Sequence, residues 1–285
     1  MSSFWAEHVW LPSGLARGVR LVVDDGRFVV VEPRATRHPE DVKLRGVVFP
    51  GLANAHSHVF QRVLRGRTQS DADNGITWRA KMYDVAERLN PDLYLALARA
   101  TFAEMALAGI TVVGEYHYLH HGPGGSRYSD PNAMGAALAR AAHEVGIRLT
   151  LLDTLYLQGG LTSEGHLPLD GVQQRFSDGS VEAWAARTAR IEQTELLRRG
   201  AAIHSIRAVS REDAAYGDRP LHMYVSEQPA ENLACQMYYG TTPTELLADI
   251  GVLGSEFTAV HATHLTERDI SLLADHECQV VVCPT

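Results

Sequence analysis

The stretch Pro50-Gly51-Leu52-Ala53-Asn54-Ala55-His56-Ser57-His58 decides how this chain is read. A short apolar run, 47–55, ends in two histidines with one residue between them. Side chains at i and i+2 of a strand share a face, so His56 and His58 project together from its end. Two imidazoles placed that way can grip one divalent metal. In a chain with 14 histidines a single His-x-His is more often surface or core than ligand, so the weight comes from the rest of the chain.

Beyond the two histidines the pattern is an alternation of strands and helices, the mark of a parallel α/β architecture. After the strand that carries the histidines, strands are expected at 111–118, 148–156, 201–209, 221–226, 258–262 and 279–283. Asn90-Pro91 supplies an N-cap and first-turn pair for a helix over 90–108, closed by Gly109. Further helices are expected at 130–146, 181–199, 242–250 and 266–275, with a polar excursion at 66–74 and a Gly-rich loop at 158–180. The fold class is therefore α/β, a (β/α)8 TIM barrel with strands one to seven present and the eighth absent. No Gly-rich phosphate fingerprint follows a strand, which counts against a doubly wound dinucleotide fold.

The first 49 residues differ. Runs at 4–10, 19–23 and 28–32 are separated by Pro12-Ser13-Gly14 and Asp24-Asp25-Gly26, and Asp-Gly is a strong hairpin signal. Residues 1–49 read as a small antiparallel β domain, the N-terminal portion of a β-sandwich, and residues 50–285 as the barrel. At 285 residues and 45% hydrophobic, the chain can bury a large core as one domain or two. A net charge of -8 and a pI near 5.9 argue against nucleic-acid or anionic-membrane partners. No secretory signal and no run of about 18 apolar residues is present, so a cytoplasmic protein is expected. Cys235, Cys278 and Cys283 are too few and too irregular for a disulfide framework.

Barrel enzymes place their chemistry at the C-terminal ends of the strands. Those ends carry His56, His58 and Gln61; Glu115, His117 and Tyr118; His204 and Arg207; Glu227; and His261 and His264. A scatter of histidines would not favour one end. The segments Gly51-Leu52-Ala53-Asn54-Ala55-His56-Ser57-His58, Tyr116-His117-Tyr118-Leu119-His120-His121, His204-Ser205-Ile206-Arg207 and Val260-His261-Ala262-Thr263-His264 resemble the amidohydrolase superfamily. Within it they resemble the formimidoylglutamate deiminases, over nearly the whole chain. His-x-His marks only the superfamily, whereas the 116–121 and 204–207 segments are closer to the deiminases.

The resemblance implies a single zinc ion held by His56 and His58, a His from strand five and an Asp from strand eight. It implies that Glu227 carries a proton from the attacking water to the departing nitrogen, and that His261 orients that water. The substrate would be a small dicarboxylate amidine, whose carboxylates call for guanidinium forks. Arg79 and Arg207 match the positions that supply them, and Gln61, Tyr118 and His204 match positions around the substrate. A homodimer is among the assemblies it allows. Three features depart from the pattern. Tyr224 stands where the third metal ligand is expected, and His222 lies roughly 7 Å further down the same strand face. The sequence stops at Thr285, before a strand-eight Asp. The connection 210–220 is short for a crossover. Two other readings stay open: a deaminase of the same superfamily acting on a ring, and an inactive or weakly active member of the family.

Overall fold

The computed structural model describes residues 1–68, 76–215 and 220–283. They form two compact units, 1–52 and 53–285. The first is a four-stranded sheet of β1 (Ser2–Leu11), β2 (Gly14–Asp24), β3 (Arg27–Glu32) and β4 (Val42–Val48), in the order β3-β2-β1-β4. At the Asp-Gly hairpin, Asp25 and Gly26 both adopt positive φ (47° and 71°), as a two-residue turn matched to strand twist requires. Ala6, Val9, Val19 and Leu21 form the core of this unit.

Two expectations are corrected here. The sheet is mixed, because β4 runs parallel to β1. Val47 and Val48 pair with His8 and Val9, so they end β4 and do not start the histidine-bearing strand. Pro50, which has no N–H to donate, sits in the break between the two strands.

The second unit runs β5 (Leu52–Ser57), α1 (Ile76–Arg88), α2 (Pro91–Leu107), β6 (Ile110–His117), α3 (Ala133–Val145), β7 (Arg148–Leu155), β8 (Gly160–Thr162), β9 (Gly165–Leu167), α4 (Val181–Thr188) and β10 (Leu197–Ser205). It continues with α5 (Arg211–Ala214), β11 (Leu221–Val225), α6 (Pro229–Tyr239), α7 (Pro243–Asp249), β12 (Phe257–His261), α8 (Glu267–Asp275) and β13 (Gln279–Val281). Seven strands make one sheet in the order β13-β12-β11-β10-β7-β6-β5, a nearly closed parallel barrel. Most of the polar excursion expected at 66–74 lies outside the described residues.

The helix signals behave as their chemistry dictates. Asn90 Oδ1 accepts from Leu93 N at 2.9 Å with Pro91 following, and Gly146 closes α3 in the left-handed region. The expected helix 181–199 instead stops at Thr188. Residues 189–196 have helical composition, but Leu197–Ile203 pair with β7 in register, and that ladder outweighs local propensity. Arg199 Nη1 caps the shortened helix by donating to Thr188 O at 3.2 Å. The Gly-rich loop contains the β8–β9 hairpin and a 3-10 turn over 171–176. The short crossover from β10 holds the one-turn α5, capped by Ser210.

Gly114 on β6 packs directly against the backbone of β5. A Cβ there would lie 2.8 Å from Ala55 O, so only glycine lets β6 approach the histidine-bearing strand.

Candidate metal centre and active site

His56 and His58 leave the end of β5 with their Nε2 atoms 3.0 Å apart. Two nitrogens bound to one tetrahedral zinc would be separated by roughly 3.3 Å. His58 Nδ1 donates to Tyr116 O at 3.0 Å, which fixes the tautomer and leaves the Nε2 lone pair facing His56. Burial pushes the His56 imidazole down to about 2 and His58 down to about 4, so both are neutral, as a ligand must be. His56 Nδ1 is buried without a partner among the described residues. The two imidazoles fit a zinc ion.

The third corner of this arrangement is a phenol. Tyr224 Oη touches His58 Nε2 and lies 3.5 Å from His56 Nε2. Its ring stacks on Tyr116 at 4.7 Å between centroids. Burial holds the Tyr224 hydroxyl well above the usual phenol range, so it stays protonated and can donate to the histidine lone pair.

Glu227 and His261 follow β11 and end β12 at backbone turns that L side chains seldom adopt. Ser226, His261 and Ala262 have φ of 50°, 68° and 47°. Such non-glycine positions cost free energy and gather at functional sites. The turns bring the His261 ring within 6.0 Å of His56 and 4.9 Å of Tyr224, centroid to centroid. Arg207 Nη2 donates to Glu227 Oε2 at 2.5 Å. Behind this pair sits Glu231, fully buried on α6, whose Oε2 accepts from Glu227 N at 3.0 Å and lies 3.8 Å from Arg207 Nε.

Aromatic rings build one wall. Tyr118 lies edge-on to His58 and His204, each at 5.5 Å, and its hydroxyl accepts from Gln61 Nε2 at 3.0 Å. Tyr156 packs against His204 at 4.6 Å. Arg79 is exposed on α1, and its charge adds to burial, Arg207 and His58 in holding the His204 imidazole down. His56, His58, Tyr118, His204, Arg207, Tyr224, Glu227 and His261 thus converge, with Gln61 joined through Tyr118 and Arg79 at the periphery.

The histidines of the 116–121 segment do not share this place. Tyr116 on β6 and Tyr118 just past its end face the site, and His117, one residue between, faces the helices, 6.0 Å from the Tyr94 ring. His117, His120 and Asp153 form a buried polar cluster, in which Asp153 takes two hydrogen bonds from Arg187 and one from Trp184 Nε1. His264 is exposed. The sequence reading missed Glu231 and helix α6 altogether, although Pro229 and Gly240 are start and stop signals.

Comparison with known proteins gives the family. Residues 47–285 match the sequence model of the amidohydrolase family. The chain is 34% identical, over 96% of its length, to formimidoylglutamate deiminase of Pseudomonas aeruginosa, and spans 62% of that protein. It superposes on the crystal structure of an amidohydrolase from Brucella melitensis with a TM-score of 0.92 and 31% identity, covering all of this chain and 65% of that one. A zinc-bound adenosine deaminase from Xanthomonas campestris matches at a TM-score of 0.74 and 21% identity, covering 99% of this chain and 62% of that one. A parallel barrel with paired histidines at the end of its first strand, matched by that family's sequence model over 47–285, leads to one assignment: the chain belongs to the amidohydrolase family.

Proposed function

We propose that the protein hydrolyses the formimino C–N bond of N-formimino-L-glutamate, releasing ammonia and N-formyl-L-glutamate, as a cytoplasmic step of histidine degradation. The observation that carries this reading is the guanidinium of Arg207 in contact with the carboxylate of Glu227 beside the histidine pair. A carboxylate-binding group thus stands next to a proton carrier, as a dicarboxylate amidine requires. The 34% identity to the Pseudomonas deiminase supports the same substrate class.

His56 and His58 would hold one zinc ion, which lowers the pKa of water toward about 7 and polarises the bond to be broken. Glu227 takes the proton of the attacking water and returns it to the departing nitrogen, the work of a single general acid–base. His261, kept neutral chiefly by burial, can accept from or donate to the incoming oxygen. Arg207 Nε has no hydrogen-bond partner among the described residues, with Glu231 Oε2 3.8 Å away, and its guanidinium would take a substrate carboxylate in competition with Glu227. Arg79 would take the second carboxylate, and Tyr118, Gln61 and His204 would surround the substrate.

Purified protein supplied with zinc should release ammonia from N-formimino-L-glutamate, and Glu227→Gln should not. If both are equally inert with metal bound, the reading fails. The aromatic wall of Tyr116, Tyr118 and Tyr156 favours a second reading, deamination of a flat ring. A thermal-shift comparison of dicarboxylates with purines separates the two.

A further inference from the structure

We infer that Gln173 is a specificity-determining positioning residue: it pins helix α1 against the barrel and so sets how far Arg79 stands from Arg207. The inference rests on the reading that these two guanidinium groups take the two carboxylates of the substrate. It adds the part of the fold that fixes the distance between them.

Gln173 lies in the 3-10 turn over 171–176 and is buried. Its Nε2 donates to Tyr83 Oη of α1 at 3.1 Å and, on the barrel side, to Tyr156 Oη at 3.3 Å and Gly159 O at 3.0 Å. Its Oε1 accepts from Asp170 N at 3.0 Å, which closes the turn. A Cβ on Gly159 would come within 2.9 Å of Gln173 Oε1, so the glycine opens the space that the amide fills. Two residues along, Arg175 is fully buried and holds the far end of the same helix. Its Nη1 donates to Ala86 O and its Nη2 to Leu89 O at 2.6 Å, carbonyls of the kind a helix C-terminus leaves short of donors. Its Nε donates to His121 O at 2.8 Å. Phe176 fills the space behind, its ring 6.1 Å from that of Tyr83 and 5.4 Å from that of Tyr156.

Two pins fix the direction of a helix where one does not. Arg175 holds α1 at Ala86, and Gln173 holds it at Tyr83, which lies one turn from Arg79 on the same face. Met82 and Ala86 also bury an apolar edge of α1, but apolar contact is non-directional. From Ala86 to Arg79 is roughly 10.5 Å along the axis, at 1.5 Å per residue. Without the Tyr83 pin, a tilt of about 8° about Ala86 moves Arg79 by roughly 1.5 Å, the length of one carbon–carbon bond. That is the step between neighbouring members of a dicarboxylate series, so the Gln173 amide stands where chain length is read.

The experiment measures ammonia release by the zinc-supplied protein from N-formimino-L-glutamate and from N-formimino-L-aspartate, whose carboxylates are one methylene closer. Gln173→Leu and Tyr83→Phe should each reduce the preference for the longer compound about fivefold, what one neutral hydrogen bond of average strength is worth. The loss should fall on KM for the longer compound, with kcat unchanged. The double variant should lose no more than either single one, because both cut the same link. A merely structural role would lower turnover of both compounds in proportion; an unchanged preference, or losses that multiply in the double variant, overturns the inference. Tyr83→Phe removes only a hydroxyl from a half-buried ring and decides alone if Gln173→Leu does not fold. Amide exchange over α1, read by peptide mass on the unliganded protein, tests the pin without turnover. It should speed about fivefold in Gln173→Leu or Tyr83→Phe while α3 is unchanged, and equal rates in variant and wild type overturn the pin. Wild-type protein inert toward both compounds, with faster α1 exchange in the variants, overturns the proposed function and the selection of chain length, and leaves the pin as a property of the fold.

Discussion

Arg207 Nη2 lies 2.5 Å from Glu227 Oε2, so the side chain suited to anchor a substrate carboxylate also holds the carboxylate suited to move the proton. The Arg207 side chain is only 19% exposed and that of Glu227 27%, and the buried Glu231 backs both. One guanidinium therefore stands between two acidic groups before any substrate arrives. A dicarboxylate entering the site must share Arg207 with Glu227 or displace it.

The first prediction comes from that sharing. Arg207→Gln should raise KM for the dicarboxylate and also lower kcat, because Glu227 loses its fixed position. Truncating one partner of such a desolvated pair costs about 2–5 kcal/mol in general, equivalent to a loss in kcat/KM of roughly 30-fold or more. Combined with Glu227→Gln the losses should be strongly non-additive, since both remove one unit. Steady-state kinetics of the four proteins decide the matter; additive effects would separate the two residues.

Tyr224 carries the second prediction. Its hydroxyl touches His58 Nε2, at the position where an imidazole would complete the set. Tyr224→His should tighten zinc binding at least about tenfold, because a neutral imidazole is a far better zinc ligand than a protonated phenol. Competition with a chromophoric chelator measures it. Unchanged affinity would mean that the metal sits away from this corner.

Much of the fold and site is legible in the sequence, for identifiable reasons. Period-two alternation puts His56 with His58, and Asn90-Pro91 and Gly146 set helix ends, because these signals act within a few residues. The same alternation separates Tyr118 from His117, a distinction lost when every polar strand end is given equal weight. The sequence pattern overruns helix α4 by 11 residues, from Thr188 to Arg199, since only pairing with a distant strand stops it. The positive φ of Ser226 and His261, which aims the site's side chains, has no glycine to announce it.

Asp153 and Arg187 give the third prediction. Asp153 is buried at the end of β7 and receives two donors from Arg187 of α4, which also reaches Asp178. Burial alone would raise the Asp153 carboxyl, and Arg187 outweighs it, holding it well below the usual range. Arg187→Met should destabilise by about 3–5 kcal/mol, because a buried charge is left unpaired. Asp153→Asn in the Arg187→Met background should recover part of the loss. Thermal midpoints test this, and a midpoint unchanged in Arg187→Met would sink it.

Glu115 supplies a pH dependence of opposite sign to that of the paired acids. Its side chain is fully buried, with Oε1 accepting from Val59 N at 2.7 Å and Oε2 unpartnered among the described residues. Burial pushes its carboxyl up to about 8, and the Val59 and Ser57 hydrogen bonds only partly oppose this. The folded protein therefore keeps Glu115 protonated across a range in which the unfolded chain, with an ordinary carboxyl, releases the proton. A raised folded pKa gives stability that is complete below the unfolded value of 4.5 and is lost as pH climbs through about 8. Within that window the loss approaches about 1.4 kcal/mol per pH unit. Glu115→Gln keeps an acceptor for Val59 N but has no proton to lose. Its thermal midpoint relative to wild type should rise steadily between pH 5 and pH 8, as the wild-type protein gives up stability that the amide retains. Midpoints that stay parallel across that window would show that Glu115 ionises in the folded protein at no cost.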